Sequence, residues 1–220
     1  MASKRDSSKS PSENSKKLTA LLIILISVVA VYGVKLVLQN HRPNGIDIAA
    51  ARTKGNPKAP LKIVEFIDFQ CPSCAVGSLI LREALKKHSN KIFIQVKYFP
   101  LPTVHKYSLR SAIYGECAAR QGKFWPLFDR LIDTQAQWHP LQSAEPFFGL
   151  LAQEEGLDNQ QFKMCLADER ISEVMHKEKD EGRALGVDRT PTYFINGKMF
   201  VGTKSLTEEL DAFFGEKSGK

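Results

Sequence analysis

The chain has 220 residues, and its 31 lysine and arginine residues against 24 aspartate and glutamate residues give a formal net charge of +7. Hydrophobic residues make up 43% of the chain and charged residues 25%, which is a globular composition and excludes a largely disordered or collagen-like chain. Four cysteines at this length are too few for a small domain built on disulfides.

The N-terminal part of the chain combines a basic tail with a long apolar run. Residues 1–17 are rich in serine and lysine and offer almost nothing to bury, so we predict a disordered tail. Residues 18–34 carry no charge and are rich in leucine, isoleucine and valine. Counted through Leu38, the run is about 31 Å long as a helix, enough to cross the hydrocarbon core of a bilayer. The sequence therefore predicts a transmembrane helix over residues 18–38.

This apolar run has two other interpretations. One is a cleavable signal peptide, because Val28 and Ala30 offer small residues for a peptidase, and the other is a buried core helix. The run continues past Ala30 without a break, which favours an uncleaved signal-anchor, and it has no polar face, which disfavours a core helix. The basic tail favours a cytoplasmic N-terminus. An anchor and a signal peptide would both export the chain after residue 40.

The next stretch changes from a polar linker to packed protein. Residues 39–54 are a mixed polar stretch with Pro43, Asn44 and Gly45, which is typical of a linker with little core of its own. From Gly55 onward, apolar runs of strand and helix length follow one another, so the folded domain is predicted to begin there.

Two strands with a helix between them open this domain. Residues 61–69 and 92–99 are rich in β-branched and aromatic residues, and the first run is apolar on both faces, as a covered central strand requires. Apolar residues recur at helical spacing after Cys71-Pro-Ser-Cys74, which predicts a helix that begins at the cysteines. Strand, helix and strand in this order predict a parallel pair joined by a right-handed crossover.

A long helical region and a hairpin complete the domain. Residues 106–185 are predicted to be mostly helical, with breaks near Gly122, Pro140, Gly156 and Asp168. The dipeptide Asn196-Gly197 separates two short apolar runs, which predicts a β-hairpin. A final helix is predicted over residues 205–214.

The chemistry of the chain is concentrated at Cys71 and Cys74. A helix start presents unpaired N–H groups and the positive end of the helix dipole, which stabilise a thiolate on Cys71. The spacing of the pair puts Cys74 on the same helical face, close enough to attack a mixed disulfide on Cys71. The alternatives are two buried structural thiols or half of a zinc site. A zinc site needs a second close pair, whereas Cys117 and Cys165 lie far apart, and export favours a redox pair.

Three segments carry a resemblance to a known family. They are Gly-Asn-Pro-Lys-Ala-Pro at residues 55–60, Ile-Val-Glu-Phe-Ile-Asp-Phe-Gln-Cys-Pro-Ser-Cys at residues 63–74, and Thr-Pro-Thr-Tyr-Phe-Ile-Asn-Gly at residues 190–197. Together they resemble the DsbA-like thiol:disulfide interchange proteins of the thioredoxin superfamily. The resemblance implies an α/β thioredoxin fold with an inserted α-helical domain. The predicted organisation is a cytoplasmic tail at 1–17, a signal-anchor at 18–38, a linker at 39–54, the DsbA-like domain at 55–214 with its insertion at about 104–185, and a C-terminal tail at 215–220.

The resemblance also implies roles for individual residues. Cys71 matches the attacking cysteine, and Cys74 matches the buried resolving cysteine. Pro191 matches a cis-proline that faces the active-site disulfide and helps to bind the extended substrate chain. Thr190, which precedes it, stands where the family tunes its redox behaviour. Glu65 matches an acidic residue six positions before the first cysteine.

Glu65 is also unusual for its place in the strand. It lies on the same strand face as Ile63 and Ile67, where burial would raise its pKa and make it a proton acceptor for Cys74. Alternatively, its carboxylate pairs with a neighbouring lysine such as Lys97. The sequence leaves both possibilities open.

Cys117 and Cys165 fall in the predicted insertion. Some DsbA-like proteins have a second, structural disulfide in that domain, and the resemblance makes a Cys117–Cys165 bridge the favoured prediction. The alternative is two separate buried thiols that behave as small hydrophobic residues. An exported chain disfavours spare thiols.

The sequence thus predicts an exported thiol:disulfide oxidoreductase that forms disulfides in extracytoplasmic proteins. A reductase or isomerase on the same fold is the first alternative, because Pro72-Ser73 differs from the Pro-His of the best-known strong oxidases. A non-catalytic redox or metal-binding module, or a peptide-binding chaperone, is the second. No cofactor or metal is expected.

The expected location and partners follow from the anchor and the resemblance. The chain is expected in a bacterial cell membrane as a single-pass protein, with the catalytic domain in the periplasm or on the extracytoplasmic face. Its substrates would be reduced or misoxidised exported proteins, and an oxidase would need a membrane redox partner of the DsbB or VKOR type. The N-terminal helix would contact the lipid bilayer. Nucleic acid is not expected, because the positive charge outside the tail is small and dispersed.

Overall fold

The computed structural model describes residues 22–33 and 48–215 of the chain. The chain divides into two units, Met1–Gly45 and Ile46–Lys220. In the first unit, residues 22–33 are helical and their side chains are exposed. Within the described ranges, no helix has both the length and the apolar character needed to span a membrane. The predicted tail at 1–17, the two ends of the predicted span at 18–38 and residues 216–220 lie outside the described residues.

The second unit is built on a mixed sheet. The spatial order of its strands is β1-β3-β2-β4-β5, with β2 and β3 parallel and the other neighbours antiparallel. The predicted parallel pair and the hairpin at Asn196-Gly197 are both confirmed. The strands are β1 Thr53–Gly55, β2 Leu61–Ile67, β3 Ile92–Tyr98, β4 Thr192–Ile195 and β5 Lys198–Val201.

Helices cover this sheet and fill the long connection between β3 and β4, as the predicted helical insertion requires. The helix that begins at the cysteines and the closing helix pack against each other. In chain order the helices are α1 Ile48–Ala51, α2 Pro72–Lys87, α3 Ser108–Ala119, α4 Phe124–Asp133, α5 Gln135–Trp138, α6 Glu145–Glu154, α7 Asn159–Ala167, α8 Ile171–Ala184 and α9 Gly202–Phe214.

The folded domain begins earlier than the sequence suggests. Residues 48–54, assigned above to the linker at 39–54, instead form α1 and most of β1, which pairs with β3. Arg52 is only 6% exposed, and its guanidinium donates two hydrogen bonds to Glu178 of α8, at 2.7 and 2.8 Å. A three-residue strand lacks the apolar alternation that marks a strand in a sequence, so tertiary contacts rather than local pattern determine this element.

Aromatic side chains hold the helical insertion together. The ring centroids of Trp138 and Phe148 are 5.0 Å apart, and those of Tyr114 and Phe148 are 5.3 Å apart, both in edge-to-face arrangements. The Trp138 indole also donates to the carbonyl oxygen of Leu131 at 2.8 Å. Such pairs stabilise a core beyond the area that they bury. The insertion is therefore a packed body that fixes α5, whose Gln135 contacts the turn before α2.

Candidate redox site

The two central cysteines lie where β2 passes into α2. Cys71 is the residue immediately before α2 and has extended backbone angles, and Pro72 occupies the first helical turn, where its missing N–H has no cost. Cys71 is 7% exposed and Cys74 is fully buried, and both are free thiols in this structure. The pair thus combines a thiol near the surface with a second thiol behind it.

The surroundings of Cys71 stabilise its thiolate. A hydrogen bond from the Cys74 thiol contributes most to lowering the Cys71 pKa, and burial opposes it. The nearby Thr190 side chain and the backbone N–H groups of Cys74 and Ser73 lower it further. The pKa of Cys71 falls from 9.0 to about 6. At pH 7 a thiol with this pKa is about 90% ionised.

Cys74 has the opposite character. Burial raises its pKa well above the ordinary value, and the hydrogen bond to Cys71 and the negative charge of that thiolate raise it further. Cys74 therefore stays protonated while Cys71 is ionised. One sulfur is prepared to act as a nucleophile and leaving group, and the other holds the proton.

Thr190 and Pro191 lie beside Cys71, as the resemblance implies. The Cys71 Sγ atom is 3.5 Å from the carbonyl oxygen of Thr190, and the Thr190–Pro191 peptide bond is cis. The backbone N–H of Gly202, at the start of α9, donates to the carbonyl oxygen of Pro191 at 2.9 Å. The loop before β4 thus forms one wall of the site.

Glu65 lies inside the sheet and does not pair with Lys97. Its partners in register are Val96 of β3 and Tyr193 of β4. Lys97 follows Val96 in β3, so its side chain lies on the opposite face of the sheet from Glu65, where it pairs with Glu181. Glu65 is 1% exposed, and burial raises its pKa to about 8, although the neighbouring Tyr193 hydroxyl opposes the rise. The lysine-paired alternative is wrong because neighbouring residues of a strand point to opposite faces.

A small cavity of about 20 Å³ lies next to Glu65. Ser78 of α2 also lines it, and the Ser78 Oγ and Glu65 Oε1 atoms are buried without a hydrogen-bond partner among the described residues. The cavity extends to Arg82 and Asp129, whose side chains are partly exposed. Its volume and these two unpartnered oxygen atoms, in an otherwise mostly apolar lining, suit one water molecule.

Cys117 and Cys165 are joined in a disulfide between α3 and α7. Their sulfur atoms are 2.02 Å apart, and the sequence separation is 48 residues. Across residues 22–33 and 48–215, no three histidine, cysteine, aspartate or glutamate side chains come together as a metal-binding group.

Three polar residues at the site are not predicted from the sequence. Gln135 of α5 donates from Nε2 to the carbonyl oxygens of Phe69 and Cys71, at 2.7 and 3.1 Å. Asp68 is buried in the turn before Cys71 and contacts His105 at 2.9 Å. The position of Asp68 inside an otherwise apolar run is a usable signal, whereas nothing local to Gln135 indicates that it reaches Cys71, and nothing local to His105 indicates that it contacts Asp68.

Comparison with known proteins agrees with this fold. A family model described as thioredoxin matches residues 49–214. The probable disulfide bond formation protein D of Bacillus anthracis is 29% identical over 198 residues, which cover 85% of this chain and 91% of that protein. The Na(+)/H(+) antiporter NhaA 3 of Salinispora tropica is 31% identical over 167 residues, which cover 76% of this chain and only 24% of that protein.

Two solved structures share the architecture at low sequence identity. Alpha-DsbA1 of Wolbachia pipientis is 21% identical with a TM-score of 0.63, and the match covers 74% of this chain and 90% of that one. Oxidised BdbD of Bacillus subtilis is 22% identical with a TM-score of 0.63, and the match covers 73% and 91% of the two chains. The chain therefore belongs to the thioredoxin family, and its fold is that of the DsbA-like proteins.

Proposed function

We propose that this protein is a thiol:disulfide oxidoreductase that forms disulfides in exported proteins through Cys71 and Cys74. The observation that carries the proposal is the contrast between the two sulfurs. The pKa of Cys71 is lowered to about 6 at a helix start, and that of the buried Cys74 is raised. This contrast prepares Cys71 to be attacked and released, while Cys74 retains a proton.

In the oxidase direction, a substrate thiolate attacks Cys71 Sγ of the Cys71–Cys74 disulfide. The sulfur–sulfur bond breaks, a mixed disulfide forms, and Cys74 leaves as a thiolate and takes up a proton. A second substrate thiolate then attacks the substrate sulfur of the mixed disulfide and releases the Cys71 thiolate. The substrate gains a disulfide, and the two electrons remain on the reduced pair.

Glu65 is proposed as the proton donor to Cys74 in this direction and as its acceptor in the reverse. With a pKa of about 8 it is mostly protonated at pH 7 and can donate, and it lies close enough to Cys74 for its ionised form to raise the Cys74 pKa. A water molecule in the cavity shared with Ser78 would return the proton from solvent. Glu65→Gln should slow the step that ionises or reprotonates Cys74 and leave the Cys71 pKa near its original value. An unchanged rate of Cys74 release would refute the role.

The direction of electron flow is the finer part of the proposal. A thiolate pKa of about 6 rather than 9.0 favours the reduced pair by about 1.4 kcal/mol at pH 7, which is about 30 mV. This contribution favours an oxidase. It is smaller than the difference between the reduction potentials of thioredoxin and DsbA, which is about 150 mV. A reductase or isomerase therefore stays the second candidate, and it would need an electron donor instead of an oxidising partner.

The direct test combines the reduction potential with two cysteine variants. The potential is measured against glutathione, and a value near about −120 mV supports an oxidase, whereas a value near about −270 mV supports a reductase. Cys71→Ser should abolish disulfide formation in a reduced, unfolded substrate, and Cys74→Ser should accumulate the mixed disulfide on Cys71. Disulfide formation at the same rate with Cys71→Ser as with the original protein would mean that Cys71 does not catalyse it, which would favour a non-catalytic binding module or chaperone.

Export and anchoring are proposed together. Residues 22–33 are helical, apolar and exposed, which supports the larger anchor predicted over residues 18–38. The catalytic domain would face the periplasm or the outer side of a bacterial membrane, and a DsbB- or VKOR-type partner would reoxidise the pair. Alkaline extraction of membranes should leave the full chain with the lipid, and complete release into the supernatant would refute the anchor.

A further inference from the structure

Asp68 is a buried carboxylate three residues before the reactive cysteine, and it is fully hydrogen-bonded. Its Oδ1 atom accepts from the backbone N–H of Gln70 at 2.8 Å. Its Oδ2 atom accepts from the backbone N–H of Leu101 at 3.0 Å and lies 2.9 Å from His105 Nδ1. The side chain of Asp68 is completely buried, and that of His105 is 14% exposed. A carboxylate with these donors is tied firmly to the loop that follows β3.

The main chain of the same residue contacts both cysteines. The backbone N–H of Cys71 donates to the carbonyl oxygen of Asp68 at 3.0 Å. A hydrogen bond with the Asp68 backbone also acts on the Cys74 thiol and lowers its pKa against the larger effect of burial. The side chain of Asp68 is therefore fixed by the loop after β3, and its main chain contacts both cysteines of the redox pair.

Few other charged groups face this carboxylate. Lys179 of α8 is close enough for its pKa to respond to the charge of Asp68, and its Nζ atom donates to the carbonyl oxygen of Pro100. The backbone N–H of His105 donates to the carbonyl oxygen of Leu101 at 2.8 Å, so the two residues belong to one turn of the loop after β3. That turn supplies both groups that contact Asp68 Oδ2, the backbone N–H of Leu101 and the imidazole of His105. Burial raises the Asp68 pKa, and the hydrogen bond with His105 opposes that rise.

We propose that Asp68 and His105 form a positioning pair that fixes the turn before Cys71 and thereby sets the reactivity of the Cys71 thiolate. The pair acts through the turn. When His105 no longer holds the carboxylate, the turn relaxes, and Cys71 shifts from the Ser73 and Cys74 backbone groups that stabilise its negative charge. The inference deepens the proposed function, since it takes Cys71 as the reactive thiol.

The test compares two substitutions of His105 in the reduced full-length chain. His105→Leu removes the hydrogen bond, whereas His105→Asn offers a side-chain N–H near the position of Nδ1. The readout is the rate of Cys71 alkylation by iodoacetamide as a function of pH. A rise of one pH unit in the Cys71 pKa lowers the thiolate fraction at about pH 6 from about one half to about one tenth, so His105→Leu should react about fivefold more slowly there. His105→Asn should react at nearly the original rate.

Controls separate positioning from general destabilisation. Exposed His139 provides the matched histidine control, and His139→Leu should leave the alkylation profile unchanged. Thermal unfolding is recorded for every variant. If His105→Leu lowers the melting temperature but keeps the original profile, or if His105→Asn reacts as slowly as His105→Leu, the inference is overturned. If His105→Leu does not fold, Asp68→Asn takes its place, and the same slower alkylation of Cys71 at about pH 6 is expected.

The alkylation readout needs no substrate protein, so it is independent of the proposed function. A wild-type protein without turnover but with a reactive Cys71 would refute the proposed function alone. A catalytically active protein with an unchanged profile in His105→Leu would refute the positioning pair alone.

Discussion

The low pKa of Cys71 should depend mainly on Cys74, because the hydrogen bond from the Cys74 thiol is the largest contribution that lowers it. Cys74→Ala removes this donor from a buried site. A hydrogen bond to a charged group contributes about 1.5–3 kcal/mol, which corresponds to a rise of about one to two pH units in the Cys71 pKa. At about pH 6 the thiolate fraction should then fall by about fivefold or more.

The measurement is an ultraviolet titration of the Cys71 thiolate in the reduced protein, checked by the rate of alkylation. Cys74→Ser is the matched control, because its hydroxyl group donates from nearly the same position. The serine variant should titrate within about half a pH unit of the original protein. A single remaining thiol in both variants makes the titration easy to assign.

An alanine variant that titrates like the original protein would contradict this reasoning. The stabilisation would then come from the Thr190 side chain and the backbone N–H groups at the start of α2. A serine variant that titrates like the alanine variant would indicate that a specific thiol–thiolate contact, rather than any donor, is required.

The stability of the reduced protein should follow the same ionisation. The pKa of Cys71 is lowered in the folded state, so its contribution is fully present above about pH 9 and is lost as the pH falls through about 6. The oxidised protein has no such thiolate. As the pH falls, the reduced protein should therefore lose stability relative to the oxidised protein. Urea denaturation of both forms measures this difference in unfolding free energy. A difference that does not change with pH would contradict the prediction.

Three substitutions outside the redox pair should change stability by different mechanisms. Gly77→Ala places a Cβ 1.9 Å from the Tyr193 hydroxyl oxygen, so we expect a loss of about 1–3 kcal/mol in urea unfolding that Tyr193→Phe in the same chain partly restores. Arg52→Met removes the guanidinium that pairs with the buried Glu116 and the partly buried Glu178 and should cost about 3–5 kcal/mol, and a cost below about 1 kcal/mol would argue against the ion pairs. Replacing Cys117 and Cys165 by alanine opens a loop of 48 residues and should cost about 4 kcal/mol while the Cys71 titration stays unchanged.

Local sequence patterns predict the parts of this fold that depend on neighbouring residues. The covered strand before Cys71, the helix that follows it and the hairpin at Asn196-Gly197 each have a complete signal within a few residues. Residues 48–54 carry no such signal, since their structure depends on pairing with β3 and on the contact between Arg52 and Glu178. Their assignment to a linker was wrong for that reason.

The site was predictable only in part because its contacts cross the fold. Cys71, Pro191 and Thr190 could be recognised from motif positions, whereas strand register decided that Glu65 faces Tyr193 instead of Lys97. Contacts between Asp68 and His105, or between Gln135 and the cysteine turn, join residues far apart in the chain. No periodicity or spacing in a single sequence indicates such pairs.

The position of Arg52 determines where the N-terminal end of the domain is held. A pull transmitted along the chain from before residue 48 first meets the two hydrogen bonds between Arg52 and Glu178, and then β1, which lies at an edge of the sheet. The strand that leads to Cys71 is separated from this edge by β3. The N-terminal end of the folded domain is therefore fastened to α8 and to an edge strand, and not directly to the strand that leads to Cys71.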